Sequence, residues 1–321
     1  MFFVLHFLYN KIKEEVKKMK KNRLGKSDLQ VTELGLGCMS LGTDKAHAQK
    51  IIEAALDEGI NYFDTADLYD FGVNEEIVGK SLKQVRDQVI IATKVGNRWN
   101  EQKDGWRWDP SKHYIKEAVK QNLKRLETDY IDLYQLHGGT IEDNIDETIE
   151  AFEELQAEGF IRYYGISSIR PNVIREYAKK SNIVSVMMQY SILDRKPEEK
   201  VLPFLHEQQI SVVTRGSVAK GLLSEKALEK ASPSGYLEHS YDELQQIITE
   251  LQEKVADSRP LTEVALRYNL ANPAVASVIV GASSIGQLQE NVKAVNSAPL
   301  TKEEVALIQK IARAHTYPAH R

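Results

Sequence analysis

Short apolar runs recur along this chain at regular intervals, and each is followed by a stretch whose apolar residues fall at helical spacing. The runs are Leu34–Gly37, Ile60–Phe63, Val89–Ala92, Ile131–Gln135, Tyr163–Ile166, Val184–Met188, Ser211–Val213 and Ser277–Val280. Runs this short and this apolar read as strands buried on both faces. Between them lie Ala48–Leu56, Glu75–Leu82, Lys112–Leu126, Asp146–Ala157, Val173–Lys179 and Pro197–His206. Tyr241–Ala256 and Leu261–Leu270 follow the seventh run, and Gln287–Val295 and Thr301–Ala314 close the chain. Repeated strand–helix units imply parallel pairing with right-handed crossovers. Eight such units closing on themselves give an α/β fold, the (β/α)8 TIM barrel, with extra C-terminal helices. No G-x-G-x-x-G opens a helix, which argues against a doubly wound nucleotide-binding sheet. Residues 23–33 read as an N-terminal β-hairpin ahead of the first strand, placed to cap the barrel floor.

The length of 321 residues suits one such barrel, expected over residues 19–321. A formal net charge of −4 supplies no positive field for phosphate backbones, so no nucleic-acid partner is expected. The single cysteine, Cys38, excludes an intrachain disulfide and a cysteine-rich metal site, and fits a reducing cytoplasm. Cys38 reads as a small buried residue rather than a nucleophile. His137 has no neighbouring ligand set of metal-binding spacing, so no metal is expected. Residues 1–18 form an N-terminal extension in which an apolar run, Phe2 to Tyr9, precedes a basic stretch from Lys11 to Lys21. That order is the reverse of a secretory signal, and the run is far short of the ~20 residues of a membrane span. The extension reads as a frayed helix or an over-long start, with Met19 as the natural beginning.

In barrels of this kind the reacting groups stand at the carboxyl ends of the strands. Strand two runs into Asp64 and, five residues on, Tyr69; strand three ends in Lys94; strand four ends in His137. A carboxylate, a phenol, an ammonium and an imidazole therefore project from one rim over adjacent strands. Taken singly, each has an ordinary reading: a solvated rim lysine, a structural histidine, an aromatic packed on a loop. Together they form a constellation, because a lysine closing an apolar strand needs a counter-ion and Asp64 stands on the neighbouring strand.

The words around these residues, Asp64-Thr65-Ala66 … Tyr69, Thr93-Lys94 and Gln135-Leu136-His137, resemble the Asp–Tyr–Lys–His tetrad of the aldo-keto reductases. The resemblance continues in Arg162-Tyr163-Tyr164-Gly165-Ile166-Ser167 and in Gly281-Ala282-Ser283-Ser284 … Gln287 … Glu290-Asn291, and covers essentially everything from Arg23 onward. It is nearest to a bacterial branch that also resembles potassium-channel β subunits. It implies an oxidoreductase that reduces the carbonyl of small aldehydes or ketones with NADPH. Tyr69 would be the general acid, Lys94 would make it a better donor, Asp64 would hold Lys94, and His137 would orient the substrate oxygen.

The same resemblance assigns cofactor contacts to Gly37, Ser167, Ser168, Gln189, Arg215, Gly216, Ser217, Gly221, Lys226, Gly281, Ser283, Gln287, Glu290 and Asn291. The last five would surround the adenosine 2′-phosphate at a helix start. Three positions depart from the family pattern. Arg215 stands where an aromatic ring usually stacks on the nicotinamide, and its planar guanidinium can stack instead. Gly138-Gly139-Thr140 replaces Trp-Pro-Asp after the histidine, and Gln287 replaces an arginine that contacts the 2′-phosphate. Trp99, Trp106 and Trp108 lie in a polar loop, Val95 to Pro110, where they either line a substrate pocket or pin the loop. Two other readings stay open: a slow-turnover NADPH-binding redox-sensing module, and a barrel lyase or isomerase using Lys94 as a Schiff-base amine.

Overall fold

Eight parallel strands close into a barrel in which each is hydrogen-bonded to its neighbours in sequence, and the last pairs with the first. The computed structural model describes residues 19–225, 227–257 and 259–320, so the N-terminal extension and Lys226 lie outside the described residues. A hairpin of β1 (Lys21–Arg23) and β2 (Gln30–Thr32) precedes the barrel strands β3 (Leu34–Gly37), β4 (Tyr62–Asp64) and β5 (Ile90–Val95). A second hairpin, β6 (Asn97–Trp99) with β7 (Trp106–Trp108), interrupts them. The barrel continues with β8 (Ile131–Leu136), β9 (Ile161–Ser167), β10 (Ser185–Gln189), β11 (Ser211–Arg215) and β12 (Val275–Gly281). All eight expected strands are present.

The outer layer is built of α1 (Lys45–Asp57), α2 (Val73–Leu82), α3 (Lys112–Leu126), α4 (Ile145–Ala157), α5 (Pro171–Lys180) and α6 (Val201–Glu207). It is completed by α7 (Ala227–Lys230), α8 (Tyr241–Lys254), α9 (Leu261–Ala271), α10 (Ile285–Asn296) and α11 (Lys302–Ile311). Side-chain caps start most of the long helices: Asp44 accepts from the N–H groups of Ala46 and His47, and Ser111, Asn144 and Ser284 act alike on their own helices. Ser240 with Glu243, and Thr301 with Glu304, form full capping boxes. The expected Pro197–His206 helix is split, because Lys200 takes φ −145° between a 3₁₀ turn and α6.

Strand alternation sorts the side chains. Leu36, Phe63, Ile91, Tyr134, Tyr164, Val186, Val212 and Val278 point outward into the core shared with the helices. Tyr62, Ala92, Leu133, Met187, Val213 and Ile279 point inward and fill the barrel together with Leu24, Leu29 and Val31 of the hairpin. The hairpin plugs the amino end of the barrel: Asn22 Nδ2 donates to Ala276 O at 2.9 Å, and the Gly25 N–H donates to Ser211 Oγ at 2.7 Å. Gly25 is required at the turn, since its φ is +56° and a Cβ would lie 2.1 Å from Val184 O.

Leu24 is fully buried beneath the barrel interior. Leu24→Ala should therefore cost about 3 kcal/mol, the usual size for a core leucine that leaves a cavity. Urea unfolding at neutral pH checks this, and a loss well under 1 kcal/mol would mean that the plug does not seal the floor.

Candidate active site

One step further along each strand the inward-facing residues change character. Two positions beyond Tyr62, Ala92, Leu133, Met187, Val213 and Ile279 stand Asp64, Lys94, Gln135, Gln189, Arg215 and Gly281. The alternation that fills the barrel with apolar side chains thus raises a polar layer at its carboxyl end, where a cavity of about 810 Å³ opens. Asp64, Tyr69, Lys94 and His137 all line this cavity.

Lys94 is 1% exposed. Its Nζ donates to Asp64 Oδ2 at 2.7 Å, to the Thr65 carbonyl at 2.8 Å and to Tyr69 Oη at 3.2 Å, which uses its three protons. Burial opposes the ammonium, but the Asp64 carboxylate and the Tyr69 oxygen outweigh it and hold the pKa above its ordinary value. Burial likewise raises the Asp64 carboxyl, against the pull of Lys94.

Tyr69 reaches this group through a tight turn in which Asp70 and Phe71 adopt φ of 49° and 52°. The turn is pinned from below: the Asp67 N–H donates to the Lys94 carbonyl, Thr65 Oγ1 donates to Asn74 Oδ1, and Asn74 Nδ2 donates to the Cys38 carbonyl. The His137 ring meets Tyr69 edge-on, with centroids 6.0 Å apart. Burial, then the nearby Lys94 and Arg215 cations, push the His137 pKa from 6.5 down to about 3. The imidazole is neutral at physiological pH. Its Nδ1 is enclosed without a partner among the described residues.

Of the expected cofactor contacts, Gly37, Ser167, Ser168, Gln189, Arg215, Gly216 and Gly281 line the same cavity. Gln189 Nε2 donates to Asp194 Oδ2 at 2.8 Å, and its Oε1 accepts from Arg215 at 3.1 Å. The other contacts stand elsewhere. The Ser217 hydroxyl turns into the barrel wall toward Thr214 and Asn269, and Gly221 is buried beside Lys230. Ser283, Gln287 and Glu290 are exposed at the start of α10, where the Gln287 carbonyl accepts from the Ser283 N–H at 2.9 Å. Asn291 is buried and donates back to the Gly281 carbonyl.

The cavity is also walled by Met39, Trp106, Trp108, Thr140, Ile169 and Arg170. Trp108 both lines the cavity and pins its loop, since its indole N–H donates to both Asp143 oxygens at 3.0 and 3.1 Å. The ring lies against the backbone of Gly96 and Gly138, and a Cβ on Gly96 would stand 2.7 Å from it. Trp106 is 57% exposed at the rim, whereas Trp99 packs edge-on against Phe71. Cys38 is fully buried; burial and Asp64 push its thiol far up, which leaves it unreactive. Asn97 and Arg170 line the cavity as well, outside the expected set, and Lys220 joins them from the same loop as Arg215, Gly216 and Gly221. Arg170 lies just past the end of β9, so the strand-end rule would have found it.

A sequence profile of the Aldo/keto reductase family matches residues 33–313. The chain belongs to the aldo/keto reductase family. Enzymes of this family are oxidoreductases that use nicotinamide cofactors. The chain is 62% identical over 307 residues to YqkF of Bacillus subtilis (strain 168), an "Uncharacterized oxidoreductase", covering 94% of this chain and 100% of that one. It superposes on the holo form of the aldo-keto reductase AKR11C1 from Bacillus halodurans with a TM-score of 0.90 at 62% identity, over 94% and 99% of the two chains. It is also 30% identical over 307 residues to a "Probable voltage-gated potassium channel subunit beta" of Arabidopsis thaliana, covering 88% of this chain and 93% of that one. The expected likeness of this reductase to channel β subunits is thus present.

A histidine held neutral in the fold titrates near 6.5 once unfolded. Below that pH the unfolded chain binds a proton that the native state refuses, so this part of the stability is whole above 6.5 and is lost as pH falls toward 3. Between pH 7 and pH 5 the native protein should lose about 2 kcal/mol more than a His137→Gln variant. Equal losses in urea unfolding at the two pH values would show that His137 is not held neutral.

Proposed function

We propose that this reductase uses NADPH to reduce the carbonyl of small aldehydes or ketones, with Tyr69 donating the proton. The observation that carries this reading is the arrangement of Lys94 Nζ, which is shared among Asp64, the Thr65 carbonyl and Tyr69 at the floor of the cavity. Negative charge builds on the carbonyl oxygen as it is reduced. Tyr69 hands its proton to that oxygen, and the neighbouring ammonium stabilises the charge left on the phenol. Asp64 keeps Lys94 charged and in place. The neutral His137 retains one N–H to orient the substrate oxygen.

The cavity suits a nicotinamide cofactor. Gly37 and Gly281 leave bare backbone on one wall, where a Cβ on Gly281 would lie 2.1 Å from Ser40 Oγ. Ser167, Ser168 and Gln189 would hold the carboxamide, and Gly216 would let the backbone approach the pyrophosphate. Arg215 and Lys220 offer cations along the same wall. When bound, the reduced nicotinamide supplies the hydride. Ser283 and Gln287 would meet the 2′-phosphate at the start of α10, once the Gln287 amide swings off the Ser283 N–H, with Glu290 and the buried Asn291 beside them on the helix.

A Schiff-base role for Lys94 is disfavoured, because an ammonium with three acceptors and a raised pKa is not a nucleophile. The exposed rim residues Met39, Trp106 and Ile169 favour carbonyl compounds with an apolar substituent.

Tyr69→Phe should bind NADPH within about twofold of the native protein yet lose at least ~100-fold in turnover of a simple aldehyde. Lys94→Met should fall similarly. Fluorescence titration with NADPH and with NADH, followed by loss of NADPH absorbance, provides the measurement. Native turnover in Tyr69→Phe would end the assignment, and a native protein that binds NADPH but hardly turns over would favour the redox-sensing alternative.

A further inference from the structure

The polar layer contains one side chain, Gln135, that neither the proton-donating chain nor the expected cofactor contacts use. Gln135 is fully buried, points inward from β8, and is paired in register with Lys94 on β5. Neither atom of its amide has a partner among the described residues. A buried primary amide with neither donor nor acceptor satisfied is rare, because each unpaired group forfeits its hydration.

Two further unpaired groups stand on the neighbouring β4. Asp64 gives Oδ2 to Lys94 but leaves Oδ1 bare, and the Tyr62 hydroxyl, one inward position below, is bare as well. The four groups complement one another: an amide N–H for a carboxylate oxygen, and a phenol O–H for an amide oxygen. We propose that Gln135 is a positioning residue of the reductase site, its amide N–H donating to Asp64 Oδ1 and so fixing the carboxylate that holds Lys94. The proposal rests on the reading of Asp64, Lys94 and Tyr69 as the proton-donating chain.

The residue type follows from the charges around it. A cation at position 135 would compete with Lys94 for Asp64, a carboxylate would repel Asp64, and an apolar side chain would leave Oδ1 bare in a medium without water. An amide supplies a donor and no charge. Its nearness already shows, since the Gln135 amide draws the Asp64 carboxyl downward against burial. The other groups that face Asp64 are Tyr62 on its own strand, Lys94 on β5, Tyr69 in the following turn, Cys38 after β3, His137 after β8 and Arg215 on β11. Cys38, Tyr62 and Lys94 are all shifted upward and His137 down to about 3. Of these groups, the Asp64 carboxyl, raised by burial, is the one whose protonation would limit the site on the acid side.

The test compares the native protein with Gln135→Met and Gln135→Glu, both close to glutamine in length. NADPH affinity is read by fluorescence, and kcat for a simple aldehyde is read from about pH 5 to about pH 9. Gln135→Met should bind NADPH within about twofold, lose about tenfold in plateau kcat, and shift the acid limb of kcat upward by about one pH unit. Gln135→Glu should lose more and shift further, because it sets a second acceptor against Asp64. A residue that only fills space would not move the acid limb when methionine replaces it. An acid limb at its native position in Gln135→Met, with the native enzyme active, overturns the proposal and leaves the reductase reading intact. If Gln135→Met no longer binds NADPH, Gln135→Glu decides, and an unmoved limb there overturns the proposal too. A native protein without turnover overturns the reductase reading, and this inference with it.

Discussion

A lysine ammonium buried at the mouth of the barrel is the constraint on which the site depends. Taking such a charge out of water costs several kcal/mol, and a single counter-ion seldom recovers it. Lys94 has three acceptors instead, each from a different place: the end of β4, the carbonyl after it, and the turn beyond. The turn can supply Tyr69 only because Asp67 and Thr65 tie it down to β5 and α2. The ion pair is therefore less a source of stability than a specification of where the phenol sits. Removing either partner would leave the other buried and unpaired, which is far costlier than never having had the pair.

The barrel supplies the rest without special devices. A strand side chain returns to the same face every second residue, so a rim site requires only a change of residue type at the last inward position. Six strands make that change at one level: Asp64, Lys94, Gln135, Gln189, Arg215 and Gly281. Rigid, doubly buried strands carry these groups, whereas the loops carry the residues that shape the substrate side. The polar layer is thus held to strand precision, while the rim can vary without disturbing it.

That division also explains what could be read from the sequence. The eight strands are legible because each is apolar on both faces, and the meeting of Asp64, Tyr69, Lys94 and His137 at one cavity because they stand at or just past strand ends. The β6–β7 hairpin is not, since Asn97-Arg98-Trp99 and Trp106-Arg107-Trp108 are three-residue strands with mixed polarity and no periodicity to detect. Ser217 and Gly221 read as parts of a cofactor loop, yet the backbone turns at Gly216, with φ of 69°, and carries the Ser217 hydroxyl into the wall. In the sequence Gln135 stands out only as a neighbour of His137. Its inward direction follows from period-two counting, but its unpaired amide emerges only once β4 and β5 are placed beside it.

The electrostatics of the cavity form a single design. Lys94, Arg170, Arg215 and Lys220 line it, and Asp64 is the one acid among the described lining residues. An excess of positive charge over low-dielectric walls suits an anionic cofactor and, on the proposed function, an oxygen that gains charge during reduction. Burial, helped by Lys94 and Arg215, keeps His137 neutral and so leaves it an uncharged donor. Were Asp64 to protonate, Lys94 would lose its anchor while Arg215 and the other cations still faced it, and the phenol would no longer be held against an ammonium. A carboxylate that must stay ionised inside an apolar barrel needs every uncharged donor within reach, which is why the neutral amide beside it bears on the chemistry as much as the charges do.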